Sequence, residues 1–135
     1  MPPFPEPNPA NDFLAAHIAR MQAGLRHWTG RELVDGTLPM PEQARRLFEA
    51  PFALLFHDAT PDPVFTYVNR AAMALWDMDW AEMTRLPSRL SAEPMERTAR
   101  ARFLADVKAH GFVEGYEGVR ISKSGRRFRI RDALL

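Results

Sequence analysis

The spacing of apolar positions changes several times along this chain, and each change predicts an element. Leu14, Ile18, Met21, Leu25 and Trp28 recur on one helical face. Asn11 or Asp12 can cap the start of that helix, and Thr29-Gly30 ends it. Pro39–Pro41 opens a shorter helix through Leu47 and Phe48, because a first turn does not need the donor that proline lacks. The continuous apolar run Phe52–Asp58 predicts a strand buried on both faces, and Val64–Val68 predicts its partner across a Pro/Asp turn. Asn69 then caps an alanine-rich helix where the strand stops. Asp79 begins another short helix, and the stretch LPSRLSAEP is irregular. A longer helix is expected from about Pro94 to His110, with Met95, Ala99, Phe103 and Val107 on its apolar face and Arg97, Arg100 and Arg102 largely off it.

The C-terminal part reads as a hairpin. A two-residue turn at Ser124-Gly125 sets Ile121 opposite Phe128 and Val119 opposite Ile130, on a buried face. Arg120, Arg127, Arg129 and Arg131 then share the other face. A slip of one residue would set the apolar side chains against the arginines. This pairing also aligns Glu117 with Asp132, and facing carboxylates in a dry site demand a cation or a raised pKa.

Composition narrows the picture. The chain has 135 residues, 46% apolar and 26% charged, with a formal net charge of +1, as expected for one ordinary globular domain. That charge gives no electrostatic case for nucleic acid or an anionic membrane. There is no cysteine, so thiolate metal sites, disulfides and covalent flavin chemistry are excluded. The proline-rich residues 1–10 predict a mobile extended tail and show no secretory signal pattern. Residues 11–50 read as a helical extension and 51–135 as the core, with cytoplasm as the default compartment.

The stretches HDATPDPVFTYVNRAA, LPSRLSAEP and GVRISKSGRRFRI, in this order, resemble the MEKHLA family, a PAS-like group, over about Leu38 to Leu135. The resemblance implies an α+β fold: a PAS-like antiparallel sheet with helices on one face, preceded here by the amphipathic helix. It also implies a final central strand beyond the position of Leu135. A four-stranded sheet, a longer natural chain or a strand from a second chain would each answer that expectation. The implied role is a non-enzymatic sensory or ligand-binding module that regulates a partner. The alternative is an interaction or dimerisation module with a filled core.

Candidate chemistry is sparse. No nucleophile elbow, Walker loop, HExxH or dinucleotide fingerprint occurs. His57, Asp58 and Asp62 straddle a turn, where capping explains the aspartates better than a metal does. His110 ends the long helix, a place that suits a cationic imidazole better than an axial haem ligand. No flavin-recognition pattern is evident, so any cofactor is unnamed. If a PAS-like cavity is present, its candidate ligand contacts are Asn69, Trp76, Ser88, Arg89, Phe103 and Glu117. Arg89 offers a planar fork for a carboxylate or phosphate. It can equally pin its loop by pairing with Glu93, Asp77 or loop carbonyls. Leu14, Ile18, Met21, Leu25 and Trp28 either pack on the domain's own core or form a short homodimer seam.

Overall fold

A computed structural model describes residues 4–58, 60–91 and 116–133, together with Thr98, Ala101, Arg102, Ala105 and Ala109. The fold is α+β, with helices and antiparallel strands. The first helix, α1 (Ala15–Thr29), ends as expected at Gly30, which adopts φ +70°. Its start differs from expectation. Asn8, rather than Asn11 or Asp12, caps a 3-10 turn over Pro9–Leu14, and Asn11 bonds back to complete a capping box. Asn8 wins because Pro9 follows it in the first turn, where a missing donor costs nothing. Asp12, Phe13 and Leu14 then take left-handed φ values of 53°, 53° and 58°, so Leu14 precedes the helix instead of opening its stripe. The proline-rich segment read as a mobile tail packs from Phe4 onward: Phe4 stacks on His17, and its carbonyl accepts from Trp80 Nε1.

Helix α2 (Met40–Phe48) starts after Pro39 as predicted. Two buried amides join it to α1. Gln22 Nε2 donates to Gln43 Oε1 at 2.7 Å, while Gln43 Nε2 donates to the Leu38 carbonyl at 2.6 Å. Strand β1 (Leu55–His57) is shorter than its apolar run and only half-buried, so the expectation of burial on both faces does not hold. It pairs antiparallel with β2 (Phe65–Val68) through Leu55–Val68 and Phe56–Tyr67. Between them Asp58 Oδ1 accepts from Thr60 Oγ1, Thr60 N and Val64 N, the capping role expected of it. Helices α3 (Arg70–Trp76) and α4 (Trp80–Met83) follow their caps, Asn69 and Asp79.

The hairpin of β3 (Tyr116–Ile121) and β4 (Arg127–Ala133) is present, but its register is one residue away from the expected one. Ile121 pairs with Arg127, Arg120 with Phe128 and Gly118 with Ile130. The cause lies in the loop. Ser122 N donates to the Arg126 carbonyl and Gly125 N to the Ser122 carbonyl, with Gly125 at φ +87°. This is a three-residue Lys123–Gly125 connection with glycine in the left-handed position, not a two-residue turn. Arg120 is consequently buried and donates to the Val119 carbonyl, whereas Arg127 and Arg129 are exposed. The register shifts between Tyr116, which pairs with Ala133, and Gly118, so Glu117 lies in an irregular step opposite the stretch that holds Asp132.

The hairpin loop docks on the C-terminal end of α3. Lys123 N donates to Trp76 O at 2.9 Å and Arg126 Nη2 to Leu75 O at 2.8 Å, supplying partners to carbonyls that a helix end leaves open. Ser124 Oγ bonds Asp77, and Lys123 pairs with Glu82. Among the described residues β1–β2 and β3–β4 form separate ladders. One core joins Leu14, Ile18, Leu47 and Phe48 to Tyr67, Val68, Ala72, Trp76, Trp80 and Met83. The expected long helix falls mostly outside the described residues; Thr98, Ala101, Arg102, Ala105 and Ala109 are helical and exposed.

Candidate functional site

Two buried polar centres lie close together on the chain and differ in how their bonds are filled. The first is Asn69, fully buried at the end of β2. Its Oδ1 accepts from Ala72 N at 3.1 Å and Leu54 N at 3.0 Å. Its Nδ2 donates to Phe52 O at 2.7 Å and Leu47 O at 3.1 Å. Both donors and both acceptor sites of the amide are in use. Asn69 therefore caps α3, as predicted, and also fastens the end of α2 and the approach to β1.

The second centre is a box of aromatic rings around His17 and Tyr67. Alternation along β2 places Phe65 and Tyr67 on one face, and Tyr67 has no exposed surface. Its ring lies 5.3 Å from Phe56, 6.3 Å from His17 and 5.8 Å from Trp80, the last edge-on. Phe4 stacks on His17 with centroids 4.2 Å apart and 28° between planes, while Phe56 meets His17 edge-on at 6.4 Å. The indole of Trp80 reaches back to the Phe4 carbonyl at 3.1 Å. The Tyr67 hydroxyl and His17 Nε2 are buried, and among the described residues neither has a hydrogen-bond partner. Burial raises the Tyr67 pKa above its ordinary value. Burial, then the nearby Arg20 charge, lowers that of His17. Both shifts favour neutral groups near pH 7. The pair thus offers hydrogen bonding without charge.

The expected ligand contacts are not gathered at this box. Trp76 is buried, bonds the Ser91 carbonyl at 3.3 Å and meets Phe128 edge-on at 4.9 Å. Ser88 is fully buried, and its hydroxyl has no partner among the described residues. Arg89 is about half exposed and pairs with Asp62 at 3.0 Å; among the described residues Asp77 is not its partner. This fastens the Ser88–Ser91 turn to the β1–β2 connection. Phe103 and the Glu117 side chain lie outside the described residues, as do Glu93 and His110. Of the α1 stripe, Leu14 and Ile18 are in the core, Met21 and Leu25 are half-buried, and Trp28 is 57% exposed.

Sequence reasoning missed Phe4, His17, Phe56, Tyr67 and Trp80 as a group. The one local signal was a tyrosine on the inward face of an alternating strand, where a hydroxyl needs a partner. Among the described residues no cluster of three or more His, Asp or Glu side chains could hold a metal ion, and no helix is long and apolar enough to cross a membrane.

No curated protein matches the chain. The family model of the MEKHLA domain matches residues 15–135, from the start of α1 onward. The chain belongs to the MEKHLA domain family, a PAS-like family of sensory character.

Proposed function

We propose that this chain is a sensory module of the cytoplasm, which takes up a small ligand and regulates a partner protein without catalysing a reaction. The observation that carries this reading is the aromatic box with two buried polar atoms left unpaired. Buried polar groups in folded proteins nearly always have partners, and an exception calls for a missing one. The rings that surround His17 and Tyr67 are those of Phe4, Phe56 and Trp80, which bring no nucleophile and no carboxylate. Such a set suits recognition better than bond making. Because residues from the N-terminal segment, α1, both strands of the first ladder and α4 meet there, occupancy would bias the packing of several elements at once.

Native mass spectrometry of gently purified protein tests this. A stoichiometric small molecule, released on denaturation, is the expected result. A clean apo mass would set the reading aside in favour of an interaction module.

A second reading has one observation in its favour. Trp28 is 57% exposed near the end of α1, on the same stripe as the half-buried Met21 and Leu25. A homodimer would use only this C-terminal part of the helix, since Leu14 and Ile18 belong to the chain's own core. Trp28→Glu should then turn a dimer into a monomer in sedimentation, and an unchanged mass rejects the seam.

A further inference from the structure

We infer that residues 4–11 are an exchangeable strap, and that two copies of the chain form a dimer in which each strap docks on the other copy, Phe4 of one chain completing the aromatic box of the second. The inference goes beyond the sensory reading and does not depend on a ligand.

Sequence and fold disagree at one place, just ahead of α1. Leu14, Ile18, Met21 and Leu25 share one helical face, and Asn11 or Asp12 is placed to cap a helix that contains them all. The backbone instead turns left-handed at Asp12, Phe13 and Leu14, with φ 53°, 53° and 58°, and α1 starts only at Ala15. That conformation is unfavourable for a residue with a Cβ, so it persists only where tertiary contacts outweigh local preference. The same three residues have a second, unstrained conformation, one more turn of α1. Leu14 stays on the face of Ile18, four positions on, in either state. A short terminal hinge that is strained when closed and regular when open invites exchange of the segment beyond it between identical chains.

The segment beyond the hinge is bonded to itself. Asn8 and Asn11 each accept from the other's backbone N–H, and both side-chain amides donate to the Glu6 carbonyl, at 3.1 and 2.9 Å. These bonds travel with the strap wherever it docks. Its anchors on the rest of the chain are at the far end: Phe4 stacks on His17 at 4.2 Å, its carbonyl accepts from Trp80 Nε1 at 3.1 Å, and Pro7 is buried. Those contacts exist within one chain only while the hinge doubles back. A straight α1 carries Phe4 away from its own His17 and Trp80, and a second copy's strap supplies the same contacts, side chain for side chain. Two chains that exchange straps therefore keep both sets of contacts and gain the extra helical turns. The family match begins at Ala15, so hinge and strap both lie ahead of the matched domain, which the exchange leaves intact. Trp28, at the opposite end of α1, takes no part.

The test is sedimentation of the full chain over a range of concentrations, with isotope-filtered NMR of dimers refolded from mixed labelled and unlabelled chains. A dimer is expected, with nuclear Overhauser contacts between Phe4 of one copy and His17 of the other. Asp12 is exposed, so its replacement leaves the packing in place. Asp12→Gly eases the left-handed backbone and weakens the helical alternative, by about tenfold per chain, and should lower the dimerisation constant about a hundredfold. Asp12→Ala favours the helix and should raise the constant. Phe4→Ala, which takes the anchor from the strap in either place, should abolish the dimer. Wild type and Asp12→Ala that both stay monomeric at millimolar concentration overturn the exchange. So does a dimer that lacks contacts between Phe4 and His17 of different copies. A dimer that Trp28→Glu dissociates and Asp12→Gly leaves unchanged is the α1 seam, and it overturns the exchange as well.

Discussion

Tyr67 and Asn69 sit on alternate positions of one strand end, both without exposed surface, and the protein treats their polar atoms in opposite ways. Asn69 is saturated by four hydrogen bonds that tie α2, the approach to β1 and α3 into one joint. The Tyr67 hydroxyl lies among rings and has no hydrogen-bond partner among the described residues. An unmade buried hydrogen bond costs about 1–3 kcal/mol, which is large against a total stability of roughly 5–15 kcal/mol. The contrast separates residues that hold the fold from residues that leave capacity unused. The first kind should be intolerant of change in any assay. The second should tolerate change in stability and show its effect on binding.

The largest effect is expected at the joint. Asn69→Ala removes partners from Leu54 N, Ala72 N, Leu47 O and Phe52 O together, and should destabilise by about 3–5 kcal/mol in denaturant unfolding. A loss below 1 kcal/mol would erase the distinction between the two centres. Next is the far end of α3, where the hairpin loop covers the helix carbonyls. Gly125→Ala meets no steric obstacle but forces a side chain into φ +87°, and should cost about 1–2 kcal/mol by the same measurement. A neutral result would show that the loop's register is not held by that glycine.

At the box the sign reverses. Tyr67→Phe deletes an unpaired hydroxyl and should leave stability unchanged or raise it by up to about 1 kcal/mol. A fall of more than 1 kcal/mol would mean the hydroxyl has a structural partner after all. The smallest effect concerns pH. With its folded pKa depressed, His17 binds its proton more readily in the unfolded chain. Its contribution is therefore complete above the unfolded value near 6.5 and declines as pH falls from there through the folded value. Thermal melts of wild type and His17→Phe should diverge in slope below pH 6.5, the wild type losing more; parallel curves would exclude burial of the imidazole.

Much of the framework was legible because its signals are local. Pro39, Asn69 and Asp79 each announce a helix start within a few residues, and Gly30 announces an end. Where two local signals compete, sequence alone does not decide. Asn8 and Asn11 are both good caps, and the proline after Asn8 tips the balance. The hairpin register turned on one loop residue, fixed by Ser122 Oγ accepting from Arg126 N and by the docking on α3. Alternation on both strands was read correctly as a pattern and assigned to the wrong pairing. Arg89 was a good candidate for pinning its turn, but its partner Asp62 is 27 positions away and carries no mark of that in the sequence. The box is the extreme case, assembled from residues 4, 17, 56, 67 and 80 with no repeating spacing.

The reversal at Asp12, Phe13 and Leu14 gives the N-terminal segment an energetic bias of its own. Three successive non-glycine residues in the left-handed region hold roughly 3–6 kcal/mol of conformational strain, at about 1–2 kcal/mol each. The segment from Phe4 to Leu14 is therefore clamped under tension: its contacts hold it down while its own backbone pushes it away. Detachment relaxes that strain, so amides ahead of α1 should exchange with solvent faster than those of α2. Glycine at position 12 would slacken the clamp and slow the same exchange, turning one residue into a dial for how readily the chain lets go of its own first residues.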